Sequence, residues 1–147
     1  MATAAVDPAP EAEPALARDE VRRRIRRASW GVLAVEDAGR PYAVPMAYGY
    51  DGRRFFVATS PGRKRRALEG APLVCFTIVE AESPGCVVVL GRVRPVTSAL
   101  ARLRAGFLIL QRFSRGGLPS LGELRRMARG RIFRIDPHEV SGRARAV

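Results

Sequence analysis

The feature that most restricts the fold of this chain is a series of short β-type runs, each cut off by a tight turn. WGVLAVE is an apolar run of the length of a buried strand, and EDAGRP after it is a turn. PYAVPMAYGY follows as a second strand. Asp51-Gly52 then supplies a residue pair favoured in hairpin turns, and RRFFVATS is a third strand. LVCFTIVE and CVVVLGRVRPV, joined through AESPG, are two more. Five strands with tight connections predict an antiparallel meander closing into a small barrel.

After Thr97 the period changes. Leu100, Leu103, Phe107 and Leu110 recur at helical spacing, with Thr97 or Ser98 as N-cap and a Ser-Arg-Gly-Gly loop at the far end. Ser120-x-x-Glu123 is a capping box that opens another helix, to about Ala128. RIFRID alternates faces and adds a sixth strand, after which Pro137 and SGRARAV are expected to end the fold. Ahead of the barrel, 18–29 reads as a surface helix with Val21, Ile25 and Ala28 on one arc and five arginines on the rest. Residues 1–17, rich in Ala, Pro and acids, are expected to form a disordered tail before a single domain over 18–147.

Composition narrows the chemistry. One His and two Cys leave too few ligands for any chain of metal or haem centres, and no metal site is expected. Cys86 is expected opposite about Glu80, roughly 17 Å along the strand from Cys75, which is too far for a disulfide. Two cysteines with no basic-then-apolar leader point to a reducing, cytoplasmic setting. The longest apolar runs are far shorter than the about 20 residues a spanning helix needs, so no membrane is expected. The net charge is +12, yet every basic residue except Lys64 is arginine. That ratio marks a compositional bias that fills the surface with arginine, so nucleic acid is not expected as a partner, although a basic nucleic-acid-binding β-barrel is an alternative reading. Lys64, which survives the bias, is the more informative residue.

Side-chain catalysis finds no support. His138 stands alone after the last strand, no serine occupies a Gly-x-Ser-x-Gly elbow, and the carboxylates are scattered. No catalytic residue is assigned, and an enzyme of this sequence would rely on a cofactor. The segment 59–66 offers a place for one. Thr59 and Ser60 come off a strand end, Pro61-Gly62 turns the chain, and Arg63 and Lys64 open a helix. Hydroxyls, free helix N–H groups and cations together suit a terminal phosphate. The spacing is neither that of a P-loop nor that of a Rossmann fingerprint.

The order of these elements resembles the FMN-binding split barrel of the pyridoxamine 5′-phosphate oxidase superfamily, in particular its nitroimidazole-reductase-like branch. G-x-L-A before the first turn, P-Y-A-V-P-M in the second strand and S-x-G-R-K at a strand end carry the resemblance. The short helix with A-P-L-V and the V-x-G-R strand follow in the same order. The resemblance implies a six-stranded antiparallel split β-barrel, mainly β with flanking helices. It also implies a flavoprotein oxidoreductase acting on a small organic acceptor, with FMN held between the subunits of a homodimer. Thr59, Ser60, Arg63 and Lys64 match the positions that hold the FMN phosphate. Pro45, Met46, Ala47 and Tyr48 match the strand whose backbone lies along the flavin ring. Gly91 and Arg92 lie on the partner-facing strand. Some branches bind a deazaflavin coenzyme instead, which is the alternative cofactor. Many relatives carry a His where this chain has Val57, so a haem-binding or His-assisted variant is not implied. The C-terminal signature for pyridoxamine phosphate is also absent.

Overall fold

The structure is a computed structural model that describes residues 14–113, 118 and 120–144. In chain order the elements are α1 (Arg18–Arg27), β1 (Trp30–Asp37), β2 (Arg40–Ala47), β3 (Gly49–Tyr50) and β4 (Phe55–Thr59). They continue with α2 (Arg63–Gly70), β5 (Leu73–Val79), β6 (Cys86–Pro95), α3 (Ala99–Phe113), α4 (Leu121–Arg129) and β7 (Arg131–Arg143). The strands form one antiparallel sheet in the order β2-β1-β5-β6-β7-β4-β3, curled into a half-barrel.

Seven strands stand where six are expected, because PYAVPMAYGY divides at Tyr48. β2 pairs with β1, whereas β3 pairs with β4 at the opposite end of the sheet. The break has a local cause. The Tyr48 ring is fully buried, and its hydroxyl donates to the Ile25 carbonyl at 2.5 Å with the Ala28 carbonyl at 3.0 Å. Gly49 then lets α3 lie against the backbone, since a Cβ there would stand 2.8 Å from Leu108 Cβ and 2.9 Å from Ile109 N. The Asp51-Gly52 turn forms as expected: Asp51 Oδ1 accepts from the Arg53 and Arg54 amides, and Gly52 takes a φ of 99°.

The final strand corrects a second expectation. β7 runs through Pro137 to Arg143, pairing with β6 along its length. It does so by a bulge: Gly91 faces Pro137 and Leu90 faces Glu139, leaving His138 without an opposite residue. A bulge is one of the few places inside a sheet where proline fits, because the ladder is already interrupted. The tail expected over 1–17 falls mostly outside the described residues. Of its last residues, Leu16 N donates to the Gly142 carbonyl at 2.9 Å and Ala15 bridges Arg143.

The main core fills the half-barrel with Leu33, Phe55, Val57, Phe76, Ile78, Val89, Phe133 and Ile135, closed by Val21 and Ile25 of α1 and Leu68 of α2. A smaller cluster lies outside the sheet, where Phe56 of β4 and Ile132 of β7 meet Ala105 and Ile109 of α3. This differs from the expected face of α3. Leu110 is buried, but Leu100, Leu103 and Phe107 are exposed. The small residues Ala105 and Gly106 let that side close on its neighbours, so the larger leucines are turned out. Ser98 caps α3, its Oγ accepting from Ala101 N at 3.1 Å. The capping box at Ser120 and Glu123 forms with both reciprocal bonds. The Ser-Arg-Gly-Gly loop lies outside the described residues. Both cysteines are free, with Cys86 opposite Val79 and Cys75 opposite Leu90. Among the described residues no helix is long and apolar enough to cross a membrane.

Candidate functional site

The edge strands of the sheet are β2 and β3, so β2 does not pair with β4 and the half-barrel is open along β2. The residues that the sequence singles out fall in two places in the fold. Pro45, Met46, Ala47 and Tyr48 lie on or just after the edge strand β2, while Thr59, Ser60, Arg63 and Lys64 lie where β4 gives way to α2. Because β2 has one neighbour only, the backbone groups on its far edge are not used by the sheet.

Side-chain direction divides the first group. Met46 and Tyr48 point into the core and are buried, whereas Pro45 and Ala47 face outward. Burial pushes the Tyr48 phenol up to about 12, against the nearby Arg112 guanidinium, which lies 4.3 Å from the ring centroid. Arg112 also donates to the Ile25 carbonyl at 2.8 Å and to the Ala28 carbonyl. Any part Tyr48 has at the opening is therefore through its backbone. Sequence reasoning does not reach Arg112, because its partners are backbone carbonyls more than 80 residues away.

In the second group, Thr59 is only 3% exposed and its hydroxyl donates to the Arg131 carbonyl at 3.4 Å, so it faces β7. Ser60 is exposed. Gly62 takes a φ of 148° with nothing within 4 Å of where its Cβ would be, a conformation that side-chain-bearing residues rarely adopt. It allows α2 to start immediately after the turn. No side chain caps α2 and no acid stands in its first turn, so the N–H groups at its start have no side-chain partner among the described residues.

The basic residues of this turn differ in their attachments. Arg63 Nε lies 2.7 Å from Asp37 Oδ2, and its guanidinium is 4.2 Å from the Tyr42 ring centroid, so it fastens α2 to the β1–β2 hairpin across the opening. Arg65 donates to the Thr59 carbonyl at 2.9 Å, while its buried Nε has no partner in the structure. Lys64 is half-buried and makes no ion pair or side-chain hydrogen bond among the described residues. The far end of α2 is held by an ion pair of 2.8 Å between Glu69 and Arg131 of β7. A rigid, uncapped helix start carrying one free cation and one orphaned guanidinium nitrogen fits a small multiply charged anion.

The outward face of β2, β1, β5 and β6 is unusually apolar. Pro45, Val32, Thr77 and Val88 stand in one row across it, and Ala43, Ala34, Cys75 and Leu90 in the next. A cleft of about 500 Å³ opens on this face, with His138 at its rim. Among the described residues no group of three metal-ligating side chains converges.

A half-barrel with an edge strand, a glycine turn and a basic helix start defines the class. The chain belongs to the pyridoxamine 5′-phosphate oxidase family, whose profile matches residues 17–144. Among solved structures it is similar to a FAD-binding protein of Mesorhizobium loti, with 25% identity and a TM-score of 0.71 over 90% of this chain and 98% of that one. A candidate 5-nitroimidazole antibiotic resistance protein of Bacteroides thetaiotaomicron shares the fold at 16% identity and a TM-score of 0.76, over 89% of this chain and 86% of that one. A FAD- and haem-binding protein of Mycobacterium smegmatis shares it at 17% identity and a TM-score of 0.69, over 89% and 72% respectively. A search of curated proteins finds no match.

Proposed function

We propose that this protein binds FMN at the opening along β2 and works as a flavin-dependent oxidoreductase on a small organic acceptor. The observation that carries the reading is the start of α2, uncapped and free of acids, with Lys64 lacking any partner among the described residues. The names of two of the solved relatives, a FAD-binding and a FAD- and haem-binding protein, support a flavin in this fold.

In this reading Lys64, Ser60 and the first N–H groups of α2 hold the phosphate, and Arg63 adds a guanidinium that Asp37 keeps oriented. The free edge of β2 from Pro45 to Tyr48 offers alternating backbone donors and acceptors to the polar rim of the ring. A bound flavin would supply the electron transfer, for which the chain itself provides no acid/base pair. The apolar outer face of β2, β1, β5 and β6 supports a homodimer that covers the ring, since a face of this composition is stabilised by removal from water. Two free cysteines accord with a reducing compartment, the cytoplasm. The aromatic side chains on which a nucleic-acid-binding barrel would stack bases are mostly in the core, which disfavours that reading.

The deciding experiment is an absorption spectrum of the purified protein, with mass identification of any molecule released on denaturation. Release of FMN supports the proposal, and a deazaflavin would transfer the site to the alternative cofactor. Colourless protein that takes up neither in titration overturns it.

A further inference from the structure

A second cleft, of about 1040 Å³, lies between α3 and the outer face of β4 and β7. It opens at the Arg54–Phe56 end of β4, about five residues or roughly 17 Å along the chain from the Thr59 turn. Two properties set it apart. First, it is lined by Arg26, Arg54, Arg104 and Arg134, and these cations are poorly neutralised. Asp136 alone serves Arg54 at 3.5 Å and Arg134 at 2.8 Å, and it is shared with Arg94 as well. Asp51 spends its carboxylate on the backbone of its own turn. Among the described residues Arg26 has only the Tyr50 ring, 5.8 Å away, and Arg104 has no ion pair. Second, the floor is apolar: Phe56 lies beneath, and Leu103 and Phe107 stand over it with 56% and 37% of their surfaces exposed. These are two of the residues whose spacing would make them the packed face of α3.

Exposed leucine and phenylalanine beside guanidiniums that outnumber their carboxylates is an unfavourable arrangement that an amphipathic anion would relieve at both ends. We propose that this cleft binds a small organic anion, with a carboxylate, sulfonate or phosphate at the arginines and an alkyl or aromatic body on Phe56, Leu103 and Phe107. The volume matches the upper range of small-molecule sites. The site does not depend on the flavin reading, since none of its residues belongs to the turn at Lys64.

The test uses the full chain with anilinonaphthalene sulfonate as fluorescent probe, competed by decanoate and by the neutral decan-1-ol. Decanoate is expected to displace the dye at concentrations where decanol does not. The double variant Arg54→Gln/Arg104→Gln is expected to weaken both dye and decanoate at least tenfold with unchanged circular dichroism. Phe107→Ser alone should weaken the dye severalfold, and Lys64→Ala should leave it unaffected. Equal displacement by decanol, undiminished binding in the double variant, or no dye binding by the wild type would overturn the proposal. Should the double variant fail to fold, Arg104→Gln alone, on an exposed helix face, decides by the same measurement.

Discussion

Replacing Lys64 by alanine separates the proposed phosphate site from the rest of the fold. Lys64 has no ion pair or side-chain hydrogen bond among the described residues, so its removal breaks no polar contact there and should change stability by no more than about 1 kcal/mol. A charge-assisted hydrogen bond to phosphate is worth about 1.5–3 kcal/mol, which corresponds to a loss in FMN affinity of roughly tenfold to a hundredfold. Riboflavin carries the same ring without the phosphate, and its affinity should not change. Arg63→Ala provides the contrast. It removes the 2.7 Å ion pair to Asp37 and the stacking on Tyr42, so it should lower both FMN affinity and stability. Exposed ion pairs contribute about 0.2–1 kcal/mol and cation–π contacts about 0.5–1, so the expected destabilisation is about 1–2 kcal/mol. Isothermal titration with FMN and riboflavin, alongside urea denaturation, measures the two affinities and the stability of each variant. Equal losses for FMN and riboflavin in Lys64→Ala would refute the assignment of the phosphate to this turn.

Tyr48→Phe should cost about 1 kcal/mol in urea denaturation, because Arg112 still serves the Ile25 and Ala28 carbonyls. The Tyr48 phenol is held up to about 12, so the native state keeps a proton that the unfolded chain releases from about pH 10 upward. The contribution is therefore intact below that pH and is lost as pH rises toward 12. Tyr48→Phe should flatten this alkaline decline, and a decline of unchanged steepness would count against the linkage. Gly91→Ala should destabilise by about 1–3 kcal/mol, since a Cβ would meet Asp136 O and Ile135 Cγ2 at 2.8 Å within the bulge. Val88→Arg, placed in the middle of the apolar outer face, should turn the proposed dimer into a monomer in sedimentation velocity and lower flavin affinity with it.

What the sequence made legible was whatever local pattern decides. The strands β1, β4, β5 and β6, the Asp51-Gly52 turn and the capping box at Ser120 all follow from alternation, turn chemistry or capping that acts within a few residues. What stayed hidden depends on partners far along the chain. The break at Tyr48 exists because its hydroxyl meets the end of α1 and Gly49 meets α3, neither of which alternation in 41–50 can report. The passage of β7 through Pro137 needs the bulge against Gly91. The orientation of α3 follows from the smallness of Ala105 and Gly106, whereas a count of leucines selects the opposite side. At the proposed site, the turn and its cations were readable as residue types. That Thr59 faces β7, that Arg63 is committed to Asp37 and that Lys64 is free are facts of tertiary placement.

The sheet order has a consequence for the sequence of folding events. β7 alone joins the β4–β3 pair to the rest of the sheet, and Thr59 meets its partner Arg131 only across 72 residues of chain. Until β7 docks, the β1–β2 and β5–β6 hairpins can join through the long-range pairing of β1 with β5, while β3 and β4 form a short hairpin that is marginal on its own. The turn carrying Ser60 and Lys64 hangs from that hairpin. It becomes fixed against the β2 edge in the same closing step that completes the barrel. Uptake of flavin would thus report the last stage of folding, and a chain arrested before β7 docks would keep most of its strands yet bind no cofactor.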